Sequence, residues 1–233
     1  KKEVNKILNF MKKDKKIILS NNHVLVEKPL TLSIEDSSHL VDLSKEHSVN
    51  LMVGHVLLFH NAIKTIKQFI DSGKLGKLQY LYSNRLNLGK VRSSENVFWS
   101  LAPHDISIFQ FFTDSYPTKI QASGSAFLQK GIHDSTLTQL TYPNDVNGHI
   151  FVSWLHPFKE HRLVVIGSEA MMSFEDSKND KPLKLYSKKF DTSKAIPEKI
   201  DGPVEIIDYE KVMPLTEELK YFHKHCTSGK PEI

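Results

Sequence analysis

The sequence predicts an α/β unit followed by an α+β unit, and three observations carry that prediction. Two short apolar strands, 23–26 and 50–53, flank a helix of about 14 residues, the rhythm of a parallel βαβ sheet. After Gly76 the rhythm changes to a run of strand-length segments, as in a mainly antiparallel sheet. The composition is that of a globular chain: 233 residues, 39% hydrophobic and 25% charged, long enough to bury a core.

Residues 3–19 read as an amphipathic helix, with Val4, Ile7, Leu8 and Met11 on one face and lysines opposite. Asn21 and Asn22 stop it. The strand 23–26 ends at Glu27-Lys28-Pro29. Ser33 is a good N-cap, with Asp36 as a first-turn acid, for a helix running to about His47. The strand 50–53 ends at Gly54-His55. A further helix spans 61–72, with Ile63, Ile66 and Ile70 on one face and Gly73 closing it. The domain boundary is expected near 55–60, giving domains 1–57 and 58–233. In the second domain the patterns predict a strand at 77–88 and a helix at 101–112 built on Leu101, Ile108, Phe109 and Phe112. Strands follow near 119–128, 135–142, 148–155, 162–167 and 170–175, and 144–148 is a hairpin-turn signal. The polar stretch 176–203 reads as loop with one strand at 183–187. A last helix runs from Leu215 to about Cys226.

Several function classes are excluded. No run approaches the roughly 18 apolar residues of a membrane-spanning helix, so no membrane partner is expected. The single cysteine, Cys226, allows no internal disulfide framework. The 12 histidines show no metal-ligand spacing, so no metal is expected. No signal-peptide pattern opens the chain, which makes the cytoplasm the expected location. The net charge of +4 is local, because residues 1–16 hold seven lysines against Glu3 and Asp14. That segment has no arginine and one aromatic, Phe10. It reads as a solvated helix face, and no nucleic-acid partner is expected.

Four segments could carry chemistry. Glu27-Lys28-Pro29 and Gly54-His55 both stand at carboxyl ends of predicted parallel strands, where ligands bind in open α/β sheets. Taken singly, each reads first as a plain strand-exit or capping turn, since three-residue matches are common. In the segment 96–105, Pro103 suits a first helical turn, which would set His104 at a helix start, where it can exchange a proton near neutral pH. Asp105 is expected to cap or pair within that turn. Ser153-Trp154-Leu-His156-Pro157 closes a strand, with Trp154 either a ligand wall or a core residue. No Gly-x-Ser-x-Gly elbow, no phosphate-binding P-loop and no Gly-x-Gly-x-x-Gly turn is present.

Together, residues 23–30 (HVLVEKPL), 53–55 (VGH), 71–78 (DSGKLGKL) and 99–105 (WSLAPHD) resemble, in order and spacing, the glucose–fructose oxidoreductase, inositol dehydrogenase and rhizopine catabolism (Gfo/Idh/MocA) family. The segments 54–60, 85–92 and 153–157 look like its branch that oxidises nucleotide-activated amino sugars such as UDP-N-acetylglucosamine. The resemblance implies part of a Rossmann domain holding NAD or NADP, then an open-faced, mainly antiparallel sheet domain with helices on one face. It also implies hydride transfer between a sugar hydroxyl carbon and nicotinamide. By that resemblance Lys28 and His104 are the catalytic pair, and Glu27, Lys28, Pro29, His55 and Trp154 are cofactor contacts. Lys90, Arg92, Asn96, Trp99, Ser100 and His104 are substrate contacts. A homo-oligomer, dimer or tetramer, through the open sheet is implied as well.

Two departures bear on these expectations. Many family members carry Asp four residues before the histidine, where this chain has Ser100, so the proton role shifts towards His104 or Lys28. The Gly-rich turn that holds pyrophosphate at a helix N-terminus would stand upstream of Glu27-Lys28-Pro29, yet only 26 residues precede that motif. The chain is therefore expected to be an N-terminally truncated member that binds NAD(H) weakly or not at all by itself. The alternative is a non-catalytic member, acting as a sugar-sensing or protein-interaction module.

Overall fold

A computed structural model describes residues 15–228 of the chain. The helix expected over 3–19 lies outside the described residues except at its end, where 15–18 are helical. The polypeptide divides into two compact units: residues up to Phe59 together with those from Val212 onward, and His60–Lys211.

In the first unit β1 (Val24–Glu27) and β2 (Leu51–Gly54) pair in parallel. Val24 stands opposite Leu51 and Glu27 opposite Gly54, so both strands end at the same level. Helix α1 (Ile34–Glu46) joins them. Its cap is the expected one: Ser33 Oγ accepts from the Asp36 amide at 3.1 Å, and Glu35 and Asp36 sit where the helix dipole favours acids. Val24 and Val26 alternate inward from β1 and meet Ile18, Leu40, Leu43 and Val49 in the core of this unit.

The second unit begins with α2 (Asn61–Asp71), followed by β3 (Leu78–Leu86) and α3 (Val97–Thr113). The remaining strands are β4 (Lys119–Ser125), β5 (Ser135–Thr141), β6 (Asn147–Ser153), β7 (Glu160–Gly167), β8 (Met171–Glu175), β9 (Leu183–Tyr186), β10 (Lys189–Asp191), β11 (Glu198–Ile200) and β12 (Val204–Ile206). Eight strands form one sheet in the order β12-β9-β8-β7-β3-β6-β5-β4, and β10 pairs with β11 apart from it. Within the large sheet only β3 and β6 run parallel. Helix α3 lies on β3, β5 and β6. It buries Ile108, Phe109 and Phe112, and the strands bury Leu81, Ile150 and Val152. The alternating burial along β6 is what period-two patterning demands of a sheet with one covered face.

Four expectations need correction. Helix α3 starts at Val97, well before Pro103, because Asn96 caps it: its Oδ1 accepts from the Trp99 amide at 3.1 Å. Pro103 therefore sits inside the helix, where it removes the ladder bond to the Trp99 carbonyl. The stretch 176–203 holds β9, β10 and β11, and β12 follows it. β10 to β12 are short and mostly exposed, so no hydrophobic alternation announced them. Finally, α4 (Pro214–Ser228) groups with the first unit, although its residues were expected in the sheet domain. Asn50 Nδ2 donates to the His225 carbonyl at 2.8 Å, and the Phe59 and Tyr221 rings meet at 5.4 Å. Among the described residues no helix is long and apolar enough to cross a membrane.

Close approaches of backbone in the second unit require glycine, as at Gly167. A Cβ on Gly167 would lie 2.0 Å from the Leu75 carbonyl oxygen, and backbone cannot yield as a side chain can. Gly167→Ala is expected to destabilise the chain by about 2–3 kcal/mol, measured by urea unfolding.

Candidate functional site

The first unit gathers its chemistry at the level carboxyl ends of β1 and β2. Glu27 is the last residue of β1, followed directly by Lys28 and Pro29, and Gly54 ends β2 with His55 next. His55 is half-buried, and its Nδ1 is inaccessible with no hydrogen-bond partner among the described residues. Burial pushes its pKa down and the neighbouring Lys28 cation pushes it further, against a smaller opposing pull from Glu27. The imidazole is thus held neutral at pH 7 beside a cation.

Helix α4 adds a residue that the sequence did not announce. Glu218 is 1% exposed, and its Oε1 has no hydrogen-bond partner among the described residues. That oxygen and the Glu27 carboxyl carbon each lie 3.6 Å from where a Gly54 Cβ would stand. Burial, and then the Glu27 charge, push the Glu218 pKa up to about 6. A folded pKa above the unfolded one gives stability that is complete below about pH 4.5 and lost as pH rises through 6. Glu218→Gln is therefore expected to stabilise the chain at pH 8 by on the order of 1 kcal/mol, with no gain at pH 4.5. Thermal melts at the two pH values measure this.

The second unit brings the other expected residues to one end of the parallel β3–β6 pair. The loop after β3, which carries Lys90 and Arg92, is tied to the end of β6: Asn87 N donates to the Ser153 carbonyl at 3.1 Å and Gly89 N to the Trp154 carbonyl at 3.3 Å. Trp154 N donates to the Asp134 carbonyl at 2.9 Å, and Val97 N to the His133 carbonyl at 3.0 Å, which fixes the start of α3 at the same rim. Lys90 is exposed, and Arg92 Nε lies 3.1 Å from Glu95 at the surface. Asn96 spends its side-chain oxygen on the helix cap. Trp99 is 42% exposed and offers an open aromatic face. Ser100 is buried and His104 half-buried, four residues apart and hence on one face of α3. Trp154 is only 3% exposed, so it packs as core and leaves little surface for a cofactor.

Asp105, next to His104, is anchored across to the sheet and not within its own turn as expected. It is 1% exposed, accepts from Arg85 Nε at 2.7 Å and from Ser83 Oγ at 2.6 Å. Opposite Arg85 on β7 stands His161, whose pKa is pushed down to about 4 by burial, then by Arg85 and Lys159. Asp134 forms a second buried clasp, with Oδ2 accepting from the Phe127 and Leu128 amides at 2.6 and 2.9 Å. Asp134, His161 and Glu218 were missed by sequence reasoning, since none sits in a motif, and Arg85 opens the segment 85–92 but was given no role there. The polar Ser83-Asn84-Arg85 stretch inside an otherwise apolar strand was the one available signal.

The neutral imidazole and the cation at a strand-end crevice fit the nicotinamide end of a dinucleotide. The turn that would cradle pyrophosphate is not among the residues of this sequence. Among the described residues no group of three or more potential ligands could hold a metal.

Comparison with known proteins matches residues 11–55 to an oxidoreductase family with an NAD-binding Rossmann fold. Residues 63–173 match the GFO/IDH/MocA C-terminal domain. The UDP-N-acetylglucosamine 3-dehydrogenase of Acidithiobacillus ferrooxidans is 26% identical over 210 residues, covering 90% of this chain and 64% of that protein. The NAD-dependent scyllo-inositol 2-dehydrogenase of Bacillus subtilis is 28% identical over 161 residues, covering 64% of this chain and 47% of its own length. A solved structure of the Acidithiobacillus enzyme superposes with a TM-score of 0.80 at 23% identity, covering 95% of this chain and 68% of that one. The chain spans about half the length of the curated relatives it matches.

Proposed function

The chain belongs to the GFO/IDH/MocA oxidoreductase family, and on that premise we propose that the protein transfers hydride between a sugar hydroxyl carbon and NAD or NADP. A nucleotide-activated amino sugar is the first substrate to try. The observation that carries the reading is the set of Glu27, Lys28, Pro29 and His55 at the level ends of two parallel strands, the position at which open α/β sheets bind their ligands. A dinucleotide bound there would supply the hydride acceptor. Lys28 would hold the reacting hydroxyl, and His104, on the face of α3 shared with Ser100, would take its proton. Ser100 can hydrogen-bond but cannot serve as a carboxylate base. Lys90 and Arg92, on the loop at the rim, suit a diphosphate. We assign the uncovered face of the large sheet, where the Tyr82 and His149 rings stack at 5.3 Å, to contact with a second copy.

The test is to incubate the protein with UDP-N-acetylglucosamine and either oxidised dinucleotide and to follow formation of the reduced form. Turnover with a nucleotide sugar is expected once a Gly-rich pyrophosphate turn completes the cofactor site, and this chain by itself is expected to bind NAD(H) weakly or not at all.

A further inference from the structure

The register of the large sheet sets Ser125, Ser135, Ser153 and Leu86 in one row, so β3, β4 and β6 end at one rim. The loop 126–134, between β4 and β5, is locked there from inside. Asp134 is fully buried, and its Oδ2 accepts from the Phe127 and Leu128 amides at 2.6 and 2.9 Å. Its own amide donates to the Ser125 carbonyl at 2.8 Å. Yet Phe127, on the backbone so held, is 73% exposed. A phenyl ring gains by leaving water, and a buried carboxylate is costly to desolvate. Here the carboxylate is committed to a turn that keeps the ring in solvent. The same tip is tied to the loop after β3, where Gln129 Nε2 donates to the Arg92 carbonyl at 3.0 Å. Lys130 on the tip and Lys90 and Arg92 on the tied loop are exposed. The acids of these two loops are engaged: Asp134 in the clasp, and Glu95 with Arg92 Nε at 3.1 Å. A guanidinium carries further donors beyond Nε.

We propose that Phe127 is a base-stacking platform: the nucleobase of a nucleoside-diphosphate sugar lies on its ring, and the diphosphate meets Lys90, Arg92 and Lys130. This deepens, and rests on, the reading of the substrate as a nucleotide-activated sugar. The chemistry follows from what the rim offers. An open aromatic ring attracts a flat π-system, and base–aromatic stacking is sequence-tolerant because every base has such a face. Cations with several donors suit the two phosphates that join base and sugar. A rigid ring is also cheap to bind against, since the clasp has already removed the freedom of its backbone. A protein partner fits the rim less well, because interface cores are depleted of charge and these cations flank the ring. Asp134 touches no ligand in this account. It is a positioning residue that holds the platform.

Calorimetric titration of the chain with UDP and with inorganic pyrophosphate tests this, because the two probes share phosphates and differ in the base. UDP is expected to bind more tightly than pyrophosphate. Phe127→Ala is expected to weaken UDP binding about tenfold or more, the worth of one base–aromatic stack, and to leave pyrophosphate binding unchanged. Phe127→Leu keeps apolar bulk without a ring and is expected to lose as much as alanine, whereas Phe127→Tyr keeps the ring and is expected to bind UDP like the unaltered chain. Since the side chain is mostly exposed, the variants are expected to unfold in urea at the same midpoint as the unaltered chain. Unchanged UDP affinity in Phe127→Ala, or an equal loss for UDP and pyrophosphate, overturns the platform and leaves the nucleotide-sugar reading standing. Failure of the unaltered chain to bind UDP overturns that reading, and the platform with it.

Discussion

Replacing Asp105 by alanine is expected to destabilise the protein by about 3–5 kcal/mol, the largest single effect anticipated from a side chain outside the core. Asp105 is 1% exposed and Arg85 9% exposed, so removing the carboxylate leaves a guanidinium with almost no water to solvate it. The loss is compounded at Ser83, whose hydroxyl now donates to Asp105 Oδ1 and would be left without that acceptor. His161 cannot compensate, since burial and the Arg85 charge already keep it neutral down to about pH 4. Because the penalty comes from the orphaned charge more than from the lost attraction, Asp105→Ala combined with Arg85→Met should recover more than half of the loss. Urea unfolding of the three variants measures this. A loss below about 1 kcal/mol for Asp105→Ala would mean that the pair behaves as a surface ion pair. The pair also bolts the third turn of α3 to β3, and His104 stands one residue away on that turn.

The elements legible in the sequence are those whose burial follows a hydrophobic period. Val24 and Val26, Ile63 and Ile66, and the alternation of β5 to β8 all declare their covered faces, and the structure buries those faces. Ser33 announced its helix because capping is local chemistry. Helix α4 shows why the rest was hidden. Its buried positions include Glu218 and His225, while Leu215 and Leu219 remain 48% and 49% exposed. A pattern argument turns such a helix the wrong way, because what it buries is polar. The anchor of Asp105 was hidden for a related reason: an acid at a supposed helix start reads as a cap, and only the Asn96 cap, five residues before the Leu101 at which the helix was expected to begin, moves that start. Lys28 and His55 could be singled out because strand ends in a βαβ unit are informative positions. The role of each there is a matter of chemistry that no spacing decides.

That chemistry is open to a sharper experiment. Lys28→Ala is expected to lower kcat for the proposed sugar oxidation by about 10²–10³-fold, the usual worth of a positioned group that holds the reacting oxygen by its charge. The argument starts from its surroundings. His55 is held neutral beside it by burial and by the Lys28 charge itself, so Lys28 is the cation that stands at the carboxyl end of β1 and β2. Ser100 supplies no carboxylate, so in the proposed reaction the proton leaving the sugar hydroxyl is assigned to His104 or to Lys28. Arginine at position 28 separates charge from proton transfer, because a guanidinium keeps the charge but does not release a proton at working pH. If Lys28 only holds the hydroxyl oxygen by its charge, Lys28→Arg should restore a large part of kcat, and His104→Ala should then cost about as much as Lys28→Ala. If Lys28 takes the proton, Lys28→Arg should stay as slow as Lys28→Ala, and His104→Ala should act mainly on KM. The proposed function, with its shift of the proton role towards His104, expects the first pattern. Unchanged kcat in Lys28→Ala would remove Lys28 from the chemistry altogether.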